Sequence, residues 1–323
     1  MSFSGKVKEE LSRQISTARH CQIAEIAAIL SVCGQVSISA NDHFCVTVHT
    51  ENVSVARKYF TLVEKTFNIE AVIHVRKNVY LKKSNVYRVE VPSHEDTVRI
   101  LQATKFMSPE QEIADDLSVM SRLVIQKECC KRAFLAGIFL SGGSVNNPET
   151  SNYHLELSVD EEEYALFIQE LMNYFHLNAK MTKRRNKYVI YLKSAEKIGD
   201  FLRAIGASQS VMNFESTRID RSMSNTVNRW NNCDIANEVK SMASSNKQLE
   251  DISIIEMFMG LDMLDEKTRT VALIRKKYPD YTLNELCNAY QDETGLTISK
   301  SGLHHRFKKL SEQAAQLMQM QNE

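Results

Sequence analysis

The side chains of this sequence that could do chemistry are chiefly cations and hydrogen-bonding groups near its C-terminal end. The segment YTLNELCNAYQDETGLTISKSGLHHRFKKL reads as two helices around a turn: Thr282 caps Leu283 to Tyr290, Gly295 punctuates, and Ser299 caps Lys300 to Leu310. On the second helix Leu303, Phe307, Leu310 and Ala314 recur at helical spacing and face inward. Ser301, His305 and Lys308 lie opposite, flanked by Lys300, His304 and Lys309, with Arg306 nearer the buried edge. A helix that reads a major groove needs this layout, with hydrogen-bonding groups in its first turns for base edges and lysines for phosphates. A generic helical bundle with solvated lysines gives the same pattern, and the connection QDETGLTI is longer than a minimal helix-turn-helix turn.

Two other stretches are basic. The first holds Arg76, Lys77, Lys82, Lys83 and Arg88, the second Lys180, Lys183, Arg184, Arg185, Lys187 and Lys193, and neither contains an acid between its end members. Such clusters suit phosphate contacts, the salt-sensitive and sequence-blind part of DNA affinity, and solvated basic hairpins are the alternative. Tyr80, Tyr87, Tyr188 and Tyr191 among them read as strand packing residues. The acidic run Asp160 to Glu163 follows a strand and opens a helix, where carboxylates face the positive end of the dipole.

No metal or cofactor is expected. The seven cysteines, Cys21, Cys33, Cys45, Cys129, Cys130, Cys233 and Cys287, are odd in number and contain no C-x-x-C spacing for a zinc site or redox pair, which fits a reducing cytoplasm. His304 and His305 are adjacent on a helix and diverge, with no acid or cysteine spaced to join them. Lys plus Arg and Asp plus Glu both total 40, so any attraction to nucleic acid must come from local clustering. The N-terminal MSFSGKVKEELSRQ lacks the apolar run of a signal peptide, and nothing approaches about 18 uninterrupted apolar residues, so no membrane partner is expected.

An internal repeat organises the elements that position these groups. CQIAEIAAILSVCGQV (Cys21 to Val36) and CKRAFLAGIFLSGGSV (Cys130 to Val145) align at an offset of 109, which also matches Phe44 with Tyr153. The offset falls to 108 at Phe67 and Phe175 and to 101 at Tyr87 and Tyr188, so length changes fall at turns. Each copy reads as helix, strand, strand, helix, strand, strand, helix. In copy one these are Ile23 to Val32, Gln35 to Ser39, Phe44 to Thr50, Val53 to Phe67, Ala71 to Lys77, Val86 to Val91 and His94 to Ala103. Helices covering one sheet face give an α+β unit whose other face is open to a ligand. The expected organisation is an N-terminal extension (1–20), a duplicated domain (21–208, with copies at 21–104 and 129–207), a linker (209–224) rich in Ser, Asn and Thr, and an all-α domain (225–323) with its helix-turn-helix at 282–310. Val227, Trp230, Ile235, Val239 and Met242 favour a supporting helix, broken or capped near Asn231 and Asn232.

FLAGIFLSGG (Phe134 to Gly143) resembles the LAGLIDADG motif of homing endonucleases, and the element order of both copies is similar to that family's repeated unit. The resemblance implies two motif helices packed side by side, with Ala27, Ala28, Ala136 and Gly137 as the small residues between them. In that family one acid precedes the final glycine of each motif; here those positions are Cys33 and Gly142, and the earlier acid is replaced by Ser31 and Leu140. A thiol is too soft for Mg²⁺ and glycine offers no ligand, so no catalytic residue is expected.

FSGKVKEEL, the duplicated LAGLIDADG-like unit without its acids, NRWNNCDIANEVK at Asn228 to Lys240 and ISKSGLHHRFKKL together closely resemble the WhiA family of bacterial transcription regulators, over essentially the whole chain. The resemblance implies an α+β, duplicated LAGLIDADG-like αββαββα domain followed by an all-α helix-turn-helix domain resembling region four of sigma factors. It implies double-stranded DNA as partner, contacted by Ser299, Lys300, Ser301, His304, His305, Arg306, Lys308 and Lys309. It further implies roles in cell division, chromosome segregation and, in spore formers, sporulation. The expected location is cytoplasmic and nucleoid-associated, and a second transcription regulator or cell-division protein is a candidate further partner. Two other readings stand beside this one: a protein-interaction scaffold in cell division with secondary DNA contact, and a residual Mg²⁺-dependent nuclease.

Overall fold

The structure is a computed structural model and describes residues 1–39, 43–77, 85–113, 117–150 and 152–320. The chain divides into two compact units, Met1–Ser222 and Met223–Glu323.

The first unit contains two copies of one motif. In the first, α2 (Arg19–Cys33) leads into β1 (Gly34–Ile38), β2 (Phe44–Thr50), α3 (Val53–Phe67), β3 (Val72–Lys77), β4 (Asn85–Val91) and α4 (His94–Ala103). The second runs α6 (Glu128–Gly142), β5 (Gly143–Val145), β6 (Leu155–Val159), α7 (Glu162–Tyr174), β7 (Lys180–Arg184), β8 (Lys187–Leu192) and α8 (Ala195–Ala204). Both sheets are antiparallel with the same order, β1-β2-β4-β3 and β5-β6-β8-β7, which leaves the basic strands β3 and β7 at sheet edges. Alternation decides which face is covered: Val46, Val48, Val89 and Val91 in one sheet, and Leu155, Leu157, Ile190 and Leu192 in the other, are buried in the helix-covered core.

The two motif helices touch through their smallest side chains. A Cβ built on Gly137 would lie 2.7 Å from Cβ of Ala28 and 2.8 Å from the carbonyl oxygen of Glu25, so only glycine permits this separation of α2 and α6. Glu25 forms a buried ion pair with Lys58 of α3 at 2.9 Å, and the ammonium also donates to the carbonyls of Leu11, at 3.1 Å, and Gln14. Burial pushes the Glu25 carboxyl up to about 7, opposed by Lys58.

Three parts of the chain differ from the sequence expectation. Residues 1–20 are not an appendage: α1 (Phe3–Arg13) puts Phe3, Val7 and Leu11 into the core, with the Phe3 ring 6.2 Å from that of Phe214. Eleven residues with three apolar positions gave too short a pattern to separate from a tail. A further helix, α5 (Leu117–Val124), joins the copies. The segment 209–224 is not an irregular linker, and there is no break at Asn231 and Asn232, because α9 runs continuously from Ser208 to Phe258. Ser, Asn and Thr are only mildly unfavourable in helices, and no glycine or proline occurs between Ser208 and Phe258. Its first turn is capped from α1, as the Glu10 carboxylate accepts from the backbone N–H of Gln209 (2.8 Å) and Ser210 (2.9 Å).

The second unit packs α10 (Glu266–Lys277), α11 (Leu283–Thr294) and α12 (Lys300–Met320) around Ile252 and Ile255 of α9. Val227, Trp230, Ile235, Val239 and Met242 lie on a helix, as their spacing favours, and are exposed.

Candidate nucleic-acid interface

Local sequence explains why α12 stands where it does. Thr282 and Glu285 form a reciprocal capping box that starts α11, Gly295 ends it in the left-handed region at φ 69°, and Ser299 Oγ accepts from Gly302 N at 3.1 Å to start α12. Leu303, Phe307, Leu310 and Ala314 are buried on one side of α12. Arg275 of α10 lies beneath them with its guanidinium 5.4 Å from the Phe307 ring and donates to the carbonyl of Tyr281 at 2.6 Å, fixing the α10–α11 connection.

The eight polar residues expected at DNA separate into two groups. Lys300, Ser301, His304, His305 and Lys308 are exposed, with Lys308 in a loose pair with Glu312 at 3.8 Å. Arg306 and Lys309 instead turn toward α10: Arg306 Nη1 lies 2.9 Å and Lys309 Nζ 2.5 Å from the carboxylate of Asp265, which also accepts from Thr268 N at 3.1 Å and so caps α10. Ser299 is occupied by its cap. Asp265, unremarked in the sequence, is therefore the hub of the motif. The hydrogen bond from Lys309 and those from Thr268 hold its carboxyl well below the usual carboxylate range.

In the first unit, strand register sorts the hairpin cations. Arg76 and Arg88 share the side of the first sheet that faces away from the helices with His74 and Glu90, whereas Lys77 pairs with Asn85 on the helix-side register. Lys180, Arg184 and Lys187 share the corresponding side of the second sheet with Glu156 and Tyr191. Lys183 has the opposite parity and donates to Tyr188 Oη at 2.9 Å, while Arg185 occupies the turn at φ 54°. Lys82 and Lys83, with Tyr80, lie outside the described residues.

These hairpins are acid-free only in sequence. Arg88 meets Glu90 at 3.2 Å, two residues beyond the cluster on the same strand, while Arg184 meets Glu156 at 3.6 Å and Lys187 meets Asp160 at 3.2 Å, acids that come from outside the hairpin. Arg76, Lys77, Lys180 and Arg185 remain as exposed cations there.

The positions of the nuclease acids close the C-terminal ends of α2 and α6. A Cβ on Gly142 would meet the Ser158 carbonyl oxygen at 2.6 Å and Val32 Cγ1 at 3.2 Å, so the backbone leaves no room for a carboxylate. Cys33 at the equivalent end is half-buried; burial raises its thiol pKa, with Ser141, Lys8 and Lys187 acting the other way. Lys8 in turn is lowered to about 8 by burial. A thiol among ammonium groups is opposite in sign to a magnesium cradle.

A duplicated LAGLIDADG-like domain without acids at its motif ends, joined to a helix-turn-helix domain, defines the class of protein to which this chain belongs. Three family descriptions match the chain in this order: "WhiA N-terminal LAGLIDADG-like domain" at residues 19–107, "WhiA LAGLIDADG-like domain" at 131–224 and "WhiA C-terminal HTH domain" at 227–314. The chain belongs to the WhiA family. It is 42% identical over 310 residues to a protein of Lachnoclostridium phytofermentans named "Probable cell division protein WhiA", covering 96% of this chain and 97% of that one. A protein of the same name from Bacillus cytotoxicus is 41% identical, with 98% and 97% covered. The crystal structure of full-length WhiA from Thermatoga maritima superposes with a TM-score of 0.59 at 25% identity, covering 98% of this chain and 99% of that one.

Proposed function

We propose that this chain is a non-enzymatic, DNA-binding transcription regulator of cell division that reads duplex DNA with α12. The observation that carries the reading is the division of labour on that helix. Leu303, Phe307 and Leu310 are buried, Arg306 and Lys309 tie it to Asp265, and Lys300, Ser301, His304, His305 and Lys308 are left exposed along its first turns. An anchored helix with hydrogen-bonding groups and cations on its outer face suits major-groove entry. Arg76, Lys77, Lys82, Lys83 and Arg88, with Lys180, Lys183, Arg184, Arg185 and Lys187, are proposed to add phosphate contacts. The acids beside several of them make that contribution smaller than their number suggests.

Roles in chromosome segregation and sporulation, and association with the nucleoid, belong to the same proposal. The test is binding of the intact chain to genomic fragments at two salt concentrations. The Lys300→Ala, Ser301→Ala, Lys308→Ala triple variant is expected to lose the enriched sequence while keeping its fold.

A second reading rests on a separate observation. Trp230, Val227, Ile235, Val239 and Met242 expose apolar surface along α9, which suits a protein partner such as a second transcription regulator or a cell-division protein. Occupancy on the genome that survives the triple variant would favour it.

A further inference from the structure

The first turns of α2 and α6 bring together a donor set that sequence spacing conceals. His20 Nδ1, Cys21 Sγ, Cys129 Sγ and Cys130 Sγ all lie within 4.8 Å of one another. His20 Nδ1 is 3.2 Å from Cys130 Sγ and 3.3 Å from Cys21 Sγ. We propose that these four residues form a zinc site that staples the two copies of the duplicated domain at the N-terminal ends of their motif helices.

Three thiolates and one imidazole are a donor set that zinc takes in closed structural sites. Tetrahedral bonds of about 2.0–2.3 Å place donors about 3.5–3.8 Å apart, so the observed spacing needs only small side-chain rotations. Hard cations are disfavoured by three sulfurs.

The internal repeat supplies an independent reason. At the offset of 109, His20 corresponds to Cys129 and Cys21 to Cys130, so the pseudo-symmetry that pairs the helices carries one dipeptide onto the other. The four donors meet because α2 and α6 begin side by side, not because of spacing along the chain. The sequence therefore carries no C-x-x-C spacing although four donors converge in the fold.

The electrostatics match as well. Neither Ala18 nor Lys127, the cap residues of these helices, gives a side-chain cap; Ser16 Oγ accepts from Ala18 N at 3.2 Å, and Glu128 in the first turn of α6 is paired with Arg132 at 2.7 Å. A complex of Zn²⁺ with three thiolates and neutral histidine carries one net negative charge, which two converging helix N-termini favour. Cys21 and Cys130 are buried whereas His20 and Cys129 are exposed, leaving a route in from solvent.

The test uses the full chain purified without chelator. Elemental analysis should find about one zinc per chain, and Co²⁺ added to protein stripped of metal should give visible bands of tetrahedral cobalt with thiolate charge transfer in the near ultraviolet. Cys129→Ser, at an exposed position, should lower that charge transfer by roughly a third, one thiolate in three, with unchanged helicity. His20→Ala should shift the visible bands and weaken binding, and Cys233→Ser should change neither. Metal-free protein with no cobalt–thiolate bands, bands indifferent to Cys129→Ser and Cys21→Ser, or a disulfide from Cys21 to Cys129 or Cys130 in protein from a reducing cytosol would each overturn the proposal.

Discussion

Arg306 Nη1 sits 2.9 Å from Asp265 Oδ1, and that contact ties a half-buried cation of α12 to the start of α10. Asp265 caps α10 and holds α12 at once, so its loss should act on both. Asp265→Ala is expected to cost about 0.5–2 kcal/mol from the cap, and more through the freed Arg306 and Lys309, read as a lower midpoint of urea unfolding of the second unit. Lys300→Ala should leave that midpoint in place.

The same carboxylate makes a pH prediction. Its folded pKa lies below the ordinary 3.8, so its contribution is present above that value and is lost as the pH falls through the folded value. Thermal stability of the second unit should therefore decline below about pH 4, and Asp265→Asn should remove this part of the acid dependence.

Glu25 gives the opposite sign. Its carboxyl is raised from 4.5 to about 7 by burial, so the folded chain holds a proton that the unfolded chain has released, and this group's contribution falls as pH rises across that window. Glu25→Gln should flatten the slope between those values. Lys58→Met leaves a buried carboxylate without its partner and should cost about 3–5 kcal/mol, whereas Lys58→Met with Glu25→Leu should recover most of it, as denaturant titration would show.

Gly142→Asp with Cys33→Asp restores the acids of the motif in sequence but not in space. Because a Cβ at 142 would press on the Ser158 carbonyl oxygen at 2.6 Å, the double variant should melt earlier and should not nick supercoiled DNA in Mg²⁺. Nicking by a variant of unchanged stability would contradict this account of the motif ends.

Much of this was legible from residues alone. Phe44–Thr50, Val53–Phe67 and His94–Ala103 are found where apolar period and capping residues place them, because each signal is local. The roles of Thr282, Gly295 and Ser299 are local too. What could not be read was contact at long range: Asp265 beneath Arg306, Glu156 beside Arg184, and His20 beside Cys130 are joined by the fold rather than by spacing. The length of α9 was hidden for another reason, since its Ser and Asn content and its exposed apolar residues carry neither a core-facing stripe nor a helix breaker.

The central claim is that α12 reads DNA sequence. The most direct measurement is retention of genomic fragments, followed by sequencing, with the intact chain and with the Lys300→Ala, Ser301→Ala, Lys308→Ala variant at two salt concentrations. The account predicts one short motif enriched by the intact chain at both salts and lost in the variant, with residual binding that disappears at the higher salt. Equal enrichment of the same motif by both proteins would contradict it.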